Sequence, residues 1–281
     1  LLLMSTPTRD LTGSFLTLPG RPLWVEQAGT GPPVVLVHSG VTDRRMWDGQ
    51  LAALADRYHV VRYDHPGYGR SEAATEPYTP EADLDAVLDH VGADWAALVG
   101  CSMGGMIVVD YTLAHPDRVA ALITAAAGLS GFPWQPPPAQ VQLEAELTAA
   151  SKALDHERIA QATVRLYAPL RTDPEVDERL RRLVADNTAA IATMGRLWQR
   201  RPQAYGRLSS IQVPTLAVVG DRDLDDFVRI AHLLADEIDG ARLEVLPDVD
   251  HIPPVRAEQT FTELLTRFLD NLDRSQWRTT R

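Results

Sequence analysis

Two hydrophobic periods alternate along this chain, and their order predicts the architecture. The run Val34-Val35-Leu36-Val37 is continuous rather than alternating, as expected of a strand buried on both faces of a parallel sheet. Segments 95–99, 119–126 and 215–219, together with the mixed segments 59–63 and 242–246, predict five more strands. Ahead of them, segments 14–18 and 23–27 read as an antiparallel hairpin closed around Pro19-Gly20, because Pro and Gly supply the dihedrals of a tight turn. Helix-period stretches near 47–56, 80–91, 105–113 and 254–269 separate the strands. Alternation of this kind implies an α/β fold: a mostly parallel eight-stranded sheet flanked by helices on both sides.

The rhythm breaks between 131 and 210. Proline-rich Phe132-Pro133-Trp134-Gln135-Pro136-Pro137-Pro138 opens a strand-poor segment in which Leu143, Leu147, Ile159, Leu166, Leu180, Leu183, Ile191, Met194 and Leu197 recur at helical spacing as expected buried positions. The expected organisation is a core formed by 1–130 and 211–281, with 131–210 inserted as a helical lid. An insertion at the carboxyl edge of a parallel sheet sits over the crevice where such sheets bind ligands.

Composition narrows the partners. A formal charge of -11 argues against nucleic acid or an anionic membrane, both of which select basic surfaces. Cys101 is the one cysteine, so an internal disulfide framework and a cysteine-based metal site are excluded, and a reducing cytoplasm is the expected compartment. Leu1-Leu2-Leu3-Met4 is too short for a signal core or a membrane span and reads as an extension before the natural start. No metal-ligand spacing occurs among the histidines and acids, and Gly29-Thr30-Gly31 lacks the context of a nucleotide loop. No cofactor is expected, and the expected partner is a small-molecule substrate.

The most informative stretch is Gly100-Cys101-Ser102-Met103-Gly104, entered by a strand and left by a helix. A serine on such a turn is forced toward positive φ, so the residues two before and two after must lack side chains. The turn also points the hydroxyl at the free N–H groups of a helix N-terminus, which favour developing negative charge.

With this elbow, Val35-Leu36-Val37-His38-Ser39-Gly40, Tyr63-Asp64-His65-Pro66-Gly67-Tyr68-Gly69-Arg70-Ser71 and His115-Pro116-Asp117-Arg118-Val119 are similar to motifs of the α/β-hydrolase superfamily, and the chain resembles its lid-bearing serine hydrolases over nearly its whole length. The resemblance implies the order nucleophile, acid, histidine. Ser102 takes the first place. Of His115, His156, His232 and His251, the last sits in the loop before the final helix, where the family carries its base. The family's acid falls three residues after Gly220, at Asp223, with Asp221, Asp225 and Asp226 as neighbouring rivals. For the oxyanion hole the resemblance implies the N–H groups of Met103 and of Gly40. Ser39 replaces a usual glycine in that loop, which leaves Val41 as the rival donor and brings an additional hydroxyl. His38 reads as a structural side chain, and Cys101 as an inert buried thiol. Trp134, Tyr167, Met194 and Trp198 are candidates either for an acyl pocket or for lid packing.

These parts imply hydrolysis of an ester or lactone of a small, partly apolar substrate. The same triad also serves C–C bond hydrolases and perhydrolases, and the same elbow serves lyases, cyclases and acyl transferases or a weakly catalytic receptor. The sequence leaves those alternatives open, and with them the oligomeric state.

Overall fold

A computed structural model describes residues 10–199, 203–273 and 277. The opening leucine run and positions 200–202 of the expected insertion lie outside them. In chain order the elements are β1 (Thr12–Leu16), β2 (Leu23–Ala28), β3 (Pro33–Val37), α1 (Asp48–Leu54), β4 (His59–Tyr63), α2 (Pro80–His90), β5 (Ala96–Cys101), α3 (Met103–Ala114) and β6 (Val119–Ala125). They continue with α4 (Pro138–Ala153), α5 (His156–Tyr167), α6 (Pro174–Ala185), α7 (Thr188–Thr193), β7 (Thr215–Gly220), α8 (Asp225–Glu237), β8 (Arg242–Leu246), α9 (Pro253–Arg256) and α10 (Glu258–Asp270). The helices carry the start signals their sequences supply. Thr79 caps α2 and Asp173 caps α6, each followed by a proline in the first helical position.

The eight strands form one sheet in the order β1-β2-β4-β3-β5-β6-β7-β8. β2 runs antiparallel to β1 and β4, and every pairing from β4 onward is parallel. The hairpin forms two residues earlier than its sequence suggests, at Thr12–Leu16, and Pro19-Gly20 lies inside its loop. There Gly20 adopts φ +65 and the Arg21 N–H donates to Leu18 O at 3.2 Å, the geometry of a turn that demands glycine at its third position.

Burial follows the strand pattern. β5, β6 and β7 are buried at every residue, whereas edge strand β1 is mostly exposed. Successive residues of β3 and β5 enter opposite layers, as a period of two requires. Val34, Leu36, Ala97 and Val99 join Leu51, Leu54, Phe261 and Leu265 under α1 and α10. Val35, Val37, Ala96 and Leu98 join Leu84, Val87, Ile107, Val108, Ile230 and Leu234 under α2, α3 and α8. The first of these clusters runs on through Ile159 and Leu180 into the helices between β6 and β7.

Two sequence expectations need correction. The closing helix is broken at Ala257, whose φ -125 and ψ 49 are not helical. Its apolar period continues across the break and so conceals it. Met194 is 47% exposed, because α7 ends at Thr193 and the residue lies in the loop beyond, while Leu143, Leu147 and Leu197 are half-buried.

Candidate active site

Ser102 joins the end of β5 to the start of α3 with φ 54 and ψ -112, a strained conformation for a residue with a side chain. Three backbone hydrogen bonds hold it there. Its N–H donates to Ala125 O at 2.9 Å, and its carbonyl accepts from Met106 and Gly128 N–H at 3.0 Å each. The flanking glycines are required by contact distance: a methyl group on Gly100 would lie 2.3 Å from Gly104 O, and one on Gly104 would lie 2.2 Å from Val37 O. Strand, turn and helix therefore close on one another only because both positions lack a side chain.

The structure brings Ser102, His251 and Asp223 together from three segments. His251 Nε2 lies 2.7 Å from Ser102 Oγ, and His251 Nδ1 lies 2.9 Å from Asp223 Oδ1. With Nδ1–H donating to the carboxylate, Nε2 is left as the acceptor for the serine hydroxyl. Asp223 Oδ1 also accepts from the Leu224 N–H at 2.7 Å. The imidazole is packed between rings, with Phe227 at 4.1 Å and Tyr167 at 4.9 Å between centroids. Trp134 packs edge-to-face on Phe227 at 5.2 Å, so of the pocket candidates Tyr167 touches this histidine and Trp134 reaches it only through Phe227.

The rival residues are bonded elsewhere or exposed. Asp226 holds Arg229 and the Gln135 N–H, both at 2.7 Å; Asp221 accepts from the Asp248 N–H at 2.7 Å; Asp225 is exposed. His156 bonds Thr188 at 3.1 Å, His232 is exposed on α8, and His115 stacks on Tyr111.

The loop after β3 supplies a second set of groups. Ser39 Oγ pairs with Thr42 Oγ1 at 2.8 Å and accepts the Val41 N–H at 3.3 Å, which occupies both the additional hydroxyl and the rival donor. No acceptor for the Gly40 or Met103 N–H is found among the described residues. The Tyr68 hydroxyl donates to Gly40 O at 2.7 Å and fixes that peptide plane. His38 is fully buried; its Nδ1–H donates to Ser39 O at 2.7 Å, and its Nε2 accepts the His65 N–H at 3.0 Å. Burial pushes its imidazole down to about 4, so it is a neutral strut at ordinary pH. Burial likewise pushes the Cys101 thiol well up, which keeps it unreactive.

One constellation escapes sequence reading. Asp250, next to His251, receives the Arg256 guanidinium at 3.1 Å through both Nε and Nη2, and the same guanidinium reaches Asp177 at the start of α6. The Leu170 N–H donates to Asp250 Oδ2 at 3.2 Å. All three charged side chains are buried, so the histidine loop is tied to the helices between β6 and β7 by a paired buried charge. An Asp before a His and an Arg in the next helical turn are the only traces in sequence, and neither indicates burial.

A sheet of this order, with a serine elbow at the carboxyl end of β5 and an acid and a histidine brought to it from the loops after β7 and β8, defines the class. The family model for the alpha/beta hydrolase fold matches residues 32–255, and the chain belongs to that family. Among its relatives, it is 30% identical to 3-oxoadipate enol-lactonase 2 of Acinetobacter baylyi over 82% of this chain and 85% of that protein. It is 28% identical to pimeloyl-[acyl-carrier protein] methyl ester esterase of Chromobacterium violaceum over 88% and 98%. Among solved structures, the enol-lactonase from Burkholderia xenovorans superposes with a TM-score of 0.78 at 26% identity, covering 92% of this chain and all of that one, or 100%. Among the described residues, no helix is long and apolar enough to cross a membrane.

Proposed function

We propose that this protein is a serine hydrolase that cleaves an ester or lactone of a small, partly apolar substrate through an acyl-enzyme on Ser102. The carrying observation is the continuous hydrogen-bond path from Ser102 Oγ through His251 to Asp223, at 2.7 Å and 2.9 Å. A serine hydroxyl is a weak nucleophile until a positioned base removes its proton. His251 Nε2 takes that proton as Oγ attacks the carbonyl carbon, and the Asp223 carboxylate holds the tautomer and stabilises the imidazolium. Negative charge gathers on the carbonyl oxygen, where the N–H groups of Met103 and Gly40 receive it; losing one such donor costs about 2.7–4 kcal/mol of transition-state stabilisation. His251 then protonates the leaving alcohol, and a water activated by the same nitrogen releases the acid. The α4–α7 segment acts as the lid over this site. The enol-lactonase and methyl ester esterase names of the relatives support the ester or lactone bond as the one cleaved.

The test is turnover of p-nitrophenyl acetate by the native protein and by Ser102→Ala, paired with fluorophosphonate labelling read by mass spectrometry. The expected result is label on Ser102 and a fall in kcat of at least about 10³-fold, since removing a triad nucleophile costs about 10⁶-fold in a well-measured serine protease. Equal rates from the two proteins reject the proposal.

A further inference from the structure

Met194 lines a cavity of 390 Å³ and also lies against Gly40, a proposed oxyanion donor. His65, Tyr68, Tyr78, Leu197, Trp198 and Met194 line this cavity, whereas Ser102, Met103, Gly40 and His251 do not border it. A methyl group on Gly40 would lie 2.6 Å from Met194 Sδ and 3.3 Å from Met103 Sδ, so the Met194 thioether rests on the oxyanion loop while also forming the cavity wall. Tyr68 also belongs to both, lining the cavity and donating to Gly40 O at 2.7 Å. Met194 follows the last residue of α7 and precedes Gly195, which has φ +74 and open space around it. A loop therefore presents the plug, and an unbranched thioether fills an irregular gap without requiring a fixed shape.

Reaction geometry decides which half of the substrate faces this way. The leaving oxygen must lie against His251 Nε2, which protonates it, and the rings around that histidine, Tyr167 and Phe227, do not line the cavity. The cavity meets the site through Met194 at Gly40 and away from the histidine wall; with the carbonyl oxygen at the Gly40 N–H and the leaving oxygen at His251, the acyl group is the substrate half left to extend toward it. We propose that Met194 sets acyl length: the native protein accepts short acyl groups that end at the sulfur, and removal of this side chain opens the space beyond to longer unbranched acyl chains. The apolar surfaces of Leu197 and Trp198 and the rings of Tyr68 and Tyr78 would cover such a chain. This inference rests on the acyl-enzyme reading given above.

The experiment measures kcat/KM for p-nitrophenyl acetate and p-nitrophenyl octanoate with the native protein, Met194→Ala and Met194→Leu. The ratio of octanoate to acetate is read within one protein preparation, so partial misfolding cancels from it. The ratio is expected to favour acetate in the native protein and to rise at least about tenfold in Met194→Ala, the scale of discrimination a pocket achieves per methylene. It should stay within about threefold of native in Met194→Leu, which preserves the volume. An unchanged or lower ratio in Met194→Ala, or a native preference for octanoate, overturns the role of Met194. Failure of the underlying reading looks different: no fluorophosphonate label on Ser102, and no turnover that depends on it.

Discussion

The carboxyl edge of the sheet and the helices α4–α7 are held in place by different physics. At the sheet edge the backbone itself fixes the groups: Ser102 is pinned by three main-chain hydrogen bonds, and Gly100 and Gly104 let strand, turn and helix meet at distances no side chain permits. The helices lie against this edge through side chains. Buried links among the described residues include Arg256 to Asp177 and Asp250, and Asn187, whose amide donates to Asp43 at 2.8 Å and accepts the Gly69 N–H at 3.0 Å. Arg45 to Asp186 is the exposed counterpart, at 2.9 Å. A site built this way separates reaction from selection. The proposed nucleophile and base depend on a geometry that tolerates little change, while the residues that would shape the substrate sit on a part that side-chain substitutions can re-set.

The strongest way to break this comparison is Arg256→Ala. Removing the guanidinium leaves Asp250 and Asp177 buried and without their cation, and losing one partner of a buried ion pair costs about 3–5 kcal/mol. Urea unfolding should show a loss of this size. Because Asp250 precedes His251, the variant should also lose hydrolysis more steeply than its remaining folded fraction explains. A stability change below about 1 kcal/mol would mean that apolar packing, not this buried charge, holds the helices to the sheet.

Legibility in the sequence divides along the same line. The central parallel strands were readable because strands buried on both faces favour continuous apolar runs, as in 34–37 and 95–99. The convergence of Ser102, Asp223 and His251 followed from the elbow and a family resemblance, since each residue stands in a short loop at a strand end. The tie of Arg256 to Asp177 was not readable. Its partners are 79 positions apart, and a charged residue at helical spacing looks like an exposed face until the fold covers it. In the loop after β3 the second proposed oxyanion donor was readable only as a choice between Gly40 and Val41. Ser39 Oγ engages the Val41 N–H at 3.3 Å, a local bond that no spacing rule encodes.

A second measurement sharpens the sheet side through pH. The folded protein keeps His38 neutral until pH falls to about 4, because burial opposes the charge, whereas an unfolded chain protonates it near 6.5. Between those values the unfolded state binds more protons, so the contribution of His38 is fully present above pH 6.5 and is lost as pH falls toward 4. The loss amounts to about 3 kcal/mol. The comparison that isolates it is native protein against His38→Gln, unfolded by urea across this range. The native advantage should shrink as acid is added. A difference that stays constant with pH would show that His38 is not held neutral by the fold.

The smallest expected effect is the most discriminating for the helices, because it keeps the type of contact and changes only its exposure. Asp186 and Arg45 are an ion pair between the end of α6 and the loop after β3, like Arg256 with Asp177 in chemistry, but their side chains are 54% and 40% exposed. Water screens such a pair, so Asp186→Ala should cost less than about 1 kcal/mol, and the difference from native should fade further at high salt. Acyl-length preference should be unaltered as well, since Asp186 does not line the cavity beside Met194. If Asp186→Ala instead cost more than about 2 kcal/mol, or shifted the ratio of octanoate to acetate cleavage, docking of the helices would depend on their exposed perimeter. Burial, rather than the number of contacts, would then no longer be what decides which links between the two regions matter.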